Sequence, residues 1–359
     1  AKDRPMKEFL TTSASNFIRQ SNVGVYWEHF DSFEEALAQA DKASKPLFVD
    51  CYTEWCGPCQ YMANNVFTQE KVGDFFNSRF INIKLDMEKG EGPEFAKKYG
   101  VRAFPTFLVF TPDGKVRHTM VGGAEGDEFI ERTKEAFDNK KATGMLQEKY
   151  EAGERGEELV MTYLRSLQRN GSPKAAEVAA EMFASLTDEQ KTSPDYWFFF
   201  EDMQLSPAGS DAEAYLLANI SRFRETIGRE KTDQRVGMPY YHSLFNIIAG
   251  RDKKSTAADI DKIAAKVKSL GLSNGPVLAA YANIAKLYIK GDYTASKYKK
   301  EMQGKAIEPE ESPFYFLYRG IRSNLTPAQD KAWKAWGYEI VSSMTDERAQ
   351  KAYRMLLEE

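Results

Sequence analysis

Two cysteines with Gly-Pro between them, set where an apolar run gives way to a helix, constrain this chain more than any other feature. Pro46-Leu47-Phe48-Val49-Asp50-Cys51-Tyr52 is apolar and has the length of a buried strand. Trp55-Cys56-Gly57-Pro58-Cys59 follows it, and a helix is expected from Gly57 to Asn65. This junction puts Cys56 at a helix N-terminus, where unpaired N–H groups and the macrodipole favour thiolate over thiol. Cys59 lies one turn further in, within reach of a disulfide formed on Cys56. The chain has only three cysteines, Cys51, Cys56 and Cys59. So close a cluster does not make a disulfide framework for 359 residues. A zinc site would need further ligands, but His29, His118 and His242 are scattered and no second cysteine pair exists. Redox chemistry without a metal is the better reading.

The surroundings of this junction alternate. Asp31 or Ser32 can cap a helix carrying Phe33, Ala36, Leu37 and Ala40 at helical spacing. Thr68 can cap another, with Val72, Phe75 and Phe76 inward. Phe80 to Asp86 predicts a strand, and Pro93 to Tyr99 a helix ended by Gly100. Pro105 to Phe110 predicts a strand, and Thr111-Pro112-Asp113-Gly114 a turn. Lys115 to Met120 then returns antiparallel, and Asp127 to Asp138 closes with a helix. The order βαβαββα predicts a mixed sheet with helices on both faces over residues 25–140. Residues 1–24 form a weakly patterned N-terminal extension.

After Thr143-Gly144 strand-like runs stop. Helical periodicity continues between breaks such as Asn170-Gly171-Ser172-Pro173 and Ser273-Asn274-Gly275-Pro276. Residues 144–359 are expected to be all-α, either an irregular bundle or tetratricopeptide-like helical hairpins. Tyr288 to Tyr293 resembles the helix turn of such a repeat, but no ~34-residue period is sustained. Tyr196-Trp197-Phe198-Phe199-Phe200 is expected in a core, and His242, within Tyr240 to Phe245, is expected to be packed.

The segment Val49-Asp50 through Cys59 resembles the active-site strand and turn of thioredoxins. The resemblance continues at Lys84-Leu85-Asp86, at Tyr99 to Thr106 and at Val121-Gly122-Gly123, in family order, and covers about residues 25–139. It implies a thioredoxin fold and a thiol:disulfide oxidoreductase. Cys56 is then the attacking and Cys59 the resolving cysteine. Asp50 matches the buried aspartate that takes the Cys59 proton, and Lys84 the lysine paired with it. Pro105 matches the cis-proline beside which a substrate chain pairs. Trp55, Gly57, Pro58, Phe104, Gly122 and Gly123 line the substrate groove. The redox-active disulfide serves in place of any cofactor. The expected partners are protein disulfide substrates and a protein thiol reductant. The Gly-Pro dipeptide resembles reducing members, which favours reduction. Cys51 and the bulky Phe104 depart from the family pattern, and Cys51 is expected to be a buried, inert thiol. The alternative is a chaperone-like or scaffold protein that uses both parts for partner binding.

Charge narrows the partners. The net charge is −4; residues 1–140 carry 18 basic and 22 acidic side chains, and the remainder is balanced. Neither part offers the basic excess that nucleic acid attracts. No apolar run approaches the ~18–20 residues of a membrane span, so an integral membrane protein is not expected. The start at Ala1 and the resemblance to thioredoxin-like proteins with extracytoplasmic modules lead us to expect the periplasm, with the cytoplasm as alternative.

Overall fold

The computed structural model describes residues 23–359, so the expected N-terminal extension falls, but for its last two residues, outside the described residues. The chain divides into two compact units, Ala1–Met182 and Phe183–Glu359.

The first unit is built on a four-stranded sheet. Helix α1 (Phe33–Ala43) starts on Ser32, whose hydroxyl accepts the Glu35 N–H at 3.2 Å. Then come β1 (Leu47–Tyr52), α2 (Gly57–Tyr61), α3 (Glu70–Arg79), β2 (Ile81–Asp86) and α4 (Gly92–Tyr99). The hairpin β3 (Thr106–Phe110) and β4 (Val116–Val121) precedes α5 (Gly126–Lys134). The strand order is β2-β1-β3-β4. β1 pairs parallel with β2, and β3 pairs antiparallel with both β1 and β4. Strand side chains alternate between faces. Phe48, Phe107, Val109 and Met120 therefore pack under Met62, Val66, Phe67, Phe76 and Phe129. Leu47, Val49, Cys51, Ile83, Leu108 and Phe110 pack against Phe33, Ala36 and Phe95 on the other face.

Local differences from the sequence expectation have packing causes. The helix after Cys56 is α-helical only to Tyr61; Met62–Val66 is a π-turn closed by Phe67 N–H donating to Met62 C=O at 2.9 Å. The wider turn turns Met62, Val66 and Phe67 all inward. Thr68 does not cap α3: its hydroxyl donates back to Asn64 C=O at 3.0 Å, and α3 begins from Gln69.

Three helices continue the first unit beyond the sheet: α6 (Thr143–Glu151), α7 (Glu157–Arg169) and most of α8 (Lys174–Ser185). Helix α6 lies so close to β4 that a Cβ on Gly144 would stand 2.3 Å from Val116 C=O. Only glycine permits that approach. The all-helical stretch expected from residue 144 thus begins inside the first unit.

The second unit is all-helical. One core joins helices Arg229–Ile248, Gly275–Lys290, Ala295–Met302, Phe314–Ile321, Pro327–Ser343 and Glu347–Glu358 around fully buried Trp333, Tyr298 and Phe314. Trp333 Nε1 donates to Tyr293 C=O at 2.9 Å, which satisfies its one polar atom. Trp197, Phe198, Phe199 and Phe200 are buried, as expected of a core cluster. His242 is not packed but exposed. Leu244 and Ile248 point inward from the same helix, and a position two residues before Leu244 lies nearly opposite on a 3.6-residue turn.

Candidate active site

The site forms where β1 ends. Cys56 is the N-cap of α2, and its Sγ accepts the Cys59 N–H at 3.2 Å. Pro58 stands in the first turn, where its missing N–H costs nothing. Cys56 and Cys59 are joined as a disulfide with Cα atoms 5.2 Å apart, and both are buried. Gly57 and Pro58 are exposed beside them, with open space where a Gly57 side chain would stand.

Asp50 lies on β1, six residues before Cys56, and is 3% exposed. It shares a strand face with Phe48, the face packed against Met62, Val66 and Phe67. Its Oδ1 is buried without a hydrogen-bond partner. Burial pushes the Asp50 carboxyl up to about 7, and the positive charge of Lys84 opposes the rise. A carboxyl tuned near neutrality is suited to exchanging a proton with a resolving thiol. Lys84 is the register partner of Asp50 across β1 and β2. Its ammonium stands over the rings of Trp27 and Tyr52, 5.3 and 5.0 Å from their centroids, and acts on Asp50 through its field. Cys51 is buried and free, facing the opposite core. Burial, and then the Asp50 charge, push its thiol well above the ordinary range, as suits an inert side chain.

The rim is aromatic on one side and backbone on the other. Trp55 is 66% exposed and packs edge-on against Phe104, centroids 6.0 Å apart. The Phe104–Pro105 peptide bond is cis. Pro105 C=O accepts the N–H of Gly122 at 2.9 Å, and Gly122 has φ +84°. Gly123 passes over Met62 so tightly that a Cβ would meet its sulfur at 3.0 Å. The structure thus gathers Trp55, Cys56, Gly57, Pro58, Cys59, Phe104, Pro105, Gly122 and Gly123 at one end of the sheet, with Asp50 on β1.

Four contributors are not evident from sequence. Glu88 accepts the indole N–H of Trp55 at 2.9 Å. It lies in the Glu88–Gly92 loop, whose length is visible in the sequence but not its target. Arg132 donates to Gly122 C=O at 3.2 Å and Val121 C=O at 3.0 Å. Thr143 and Asn170 bond to β4. Asn170 reads as a turn residue, and no local signal reports a partner some fifty positions away.

Chemically, this is a two-electron exchange site. In such a pair a Cys56 thiolate can attack a substrate disulfide, expelling one substrate thiolate and forming a mixed disulfide. A deprotonated Cys59 can then attack the Cys56 sulfur, releasing the second substrate thiolate and leaving a Cys56–Cys59 disulfide as in this structure. Such a fold and site define a thiol:disulfide oxidoreductase.

The model of a thioredoxin-like domain matches residues 33–137, inside the first unit. A chloroplastic thioredoxin Y1 of Arabidopsis thaliana is 36% identical over 130 residues, 36% of this chain and 70% of that protein. A thioredoxin-like protein of Synechocystis is 33% identical over 105 residues, 29% of this chain and 91% of that protein. Among solved structures, the oxidised C-terminal domain of Neisseria meningitidis DsbD is 26% identical, covering 31% of this chain and 99% of that one, with a TM-score of 0.28. The chain belongs to the thioredoxin family.

Proposed function

We propose that this protein reduces disulfides in protein substrates. The observation that carries the reading is the Cys56–Cys59 pair at the N-terminus of α2, following a strand that carries a buried carboxyl held near neutrality. Each turnover leaves Cys56–Cys59 oxidised, so two electrons and two protons must return from a donor dithiol. A protein thiol reductant supplies them in this proposal. Gly57-Pro58, which resembles reducing members of the family, supports the reducing direction. The second unit has no cysteine and, in the same proposal, selects the substrate. The compartment proposed is the periplasm, with the cytoplasm as alternative; the likeness to thioredoxin-like domains joined to extracytoplasmic modules supports it, and cell fractionation tests it.

Insulin reduction with a dithiol donor tests the activity. The full chain is expected to precipitate the insulin B chain, and Cys56→Ser to abolish this. A folded full chain that leaves insulin intact overturns the reading. A binding function that survives Cys56→Ser favours the scaffold alternative.

A further inference from the structure

We infer that Asn170, in the helical extension of the first unit, is a positioning residue for the rim that receives the substrate. β4 is an edge strand, and its outward backbone groups would ordinarily be open to another strand. Here side chains occupy them. Thr119 N–H donates to Thr143 Oγ1 at 2.8 Å. Thr119 C=O accepts Asn170 Nδ2 at 2.9 Å, and Val121 N–H donates to Asn170 Oδ1 at 3.3 Å. One amide side chain thus gives and takes a hydrogen bond along β4, as the backbone of an added strand would. Arg132 takes the next two carbonyls, Val121 at 3.0 Å and Gly122 at 3.2 Å.

These bonds end at the site. Val121, held by Asn170, is followed by Gly122, whose N–H is bonded to Pro105 C=O at 2.9 Å. Gly122, with φ +84° and open space around it, has no side chain to hold it in place. Its position is set by its bond to Pro105, by what grips β4 just before it and by Arg132. Asn170 follows directly on α7, so the extension sets the register of the rim without touching either sulfur. The role is to fix where a protein substrate pairs, and to leave the sulfur chemistry as it is.

The inference rests on the reading of this site as a reductase of protein disulfides, and the test keeps the two apart. The full-length chain and its Asn170→Ala and Asn170→Asp variants are compared on insulin and on the small disulfide DTNB. The aspartate keeps the acceptor for Val121 N–H but sets a carboxylate against Thr119 C=O, so it should be no better than alanine. For both variants KM for insulin is expected to rise about five- to tenfold, with kcat within about twofold of the parent. The DTNB rate and the Cys56–Cys59 equilibrium with glutathione should stay within about twofold. An insulin KM unchanged in folded Asn170→Ala overturns the inference, as does a parallel fall with both disulfides. A parent that reacts with DTNB but not insulin overturns the functional reading instead. If the variants do not fold, amide exchange on the parent decides. Slow exchange at Val121, whose N–H is donated to Asn170, supports the pairing, and loop-like exchange there overturns it.

Discussion

Asp50 and His118 are both buried, and their titrations push stability in opposite directions. Asp50 is held at about 7, above its unfolded value of 3.8. Its contribution is complete below about pH 4 and is lost as pH rises through 7. His118 accepts the Thr143 N–H on Nδ1 at 3.1 Å, while its buried Nε2 makes no hydrogen bond and stands 4.0 Å from Glu135 Oε2. Burial, with the charges of Arg169, Arg132 and Arg117, holds it down to about 3, from 6.5. Its contribution is complete above about pH 6.5 and is lost as pH falls through 3. Between about pH 4 and 6.5 the two slopes cancel. Asp50→Asn should therefore make stability rise with pH across that window, and exceed the parent at pH 8 by on the order of 2–4 kcal/mol. His118→Gln should make it fall with pH across the same window. Urea titrations at several pH values check both, and parallel profiles for all three proteins would refute the assignment. Asp50→Asn should also slow insulin reduction at neutral pH by about tenfold or more, because an amide takes no proton from Cys59. Pre-steady-state release of the mixed disulfide measures that step. At Cys56, brief iodoacetamide treatment of reduced protein at about pH 6 should label it ahead of Cys59 and Cys51. Peptide mass spectrometry reads the order, and first labelling of either other cysteine contradicts the assigned nucleophile.

At the scale of elements, the edge of β4 decides where the catalytic unit ends. Every residue of the exchange chemistry lies before Thr143, so a fragment ending there is the natural guess from sequence. That fragment would lose Asn170 from Thr119 and Val121, and α6 from its seat against Val116. Each part-buried hydrogen bond exchanged for water costs about 0.5–1.5 kcal/mol, and a bare strand edge invites pairing between chains. Residues 1–182 are expected to fold and reduce insulin at the rate of the full chain. Residues 1–143 should unfold at lower urea and self-associate. Urea midpoints and light scattering on the two fragments check this; equal stability would mean the extension is dispensable.

For the whole molecule, the two units carry different physics. The first brings redox groups to one end of a sheet. The second has no cysteine and buries a cluster of aromatic residues around Trp333. Trp333→Ala should destabilise the second unit by about 3–5 kcal/mol through an unfilled cavity. Disulfide reduction by the first unit should persist, since no reacting group is touched. Calorimetry together with insulin reduction checks the pair. Loss of insulin reduction at a temperature where the first unit remains folded would mean the second unit takes part in the chemistry.

What the sequence alone determined was local. Apolar periodicity, Ser32 before α1, Gly100 after α4 and the cysteine spacing at a strand end are properties of neighbouring residues. They sufficed to place Cys56 and Cys59 at a helix N-terminus, while Asp50 and Pro105 were singled out by the resemblance to thioredoxins. What only the tertiary structure decided was set by groups far apart in the chain. Lys84 rests over two aromatic rings near Asp50, Glu88 holds Trp55, and Asn170 occupies the edge of β4. Packing also chose the π-turn at Met62–Val66 and turned His242 outward. A backbone group on an edge strand takes whichever donor or acceptor the folded chain delivers, and no local pattern records which one arrives.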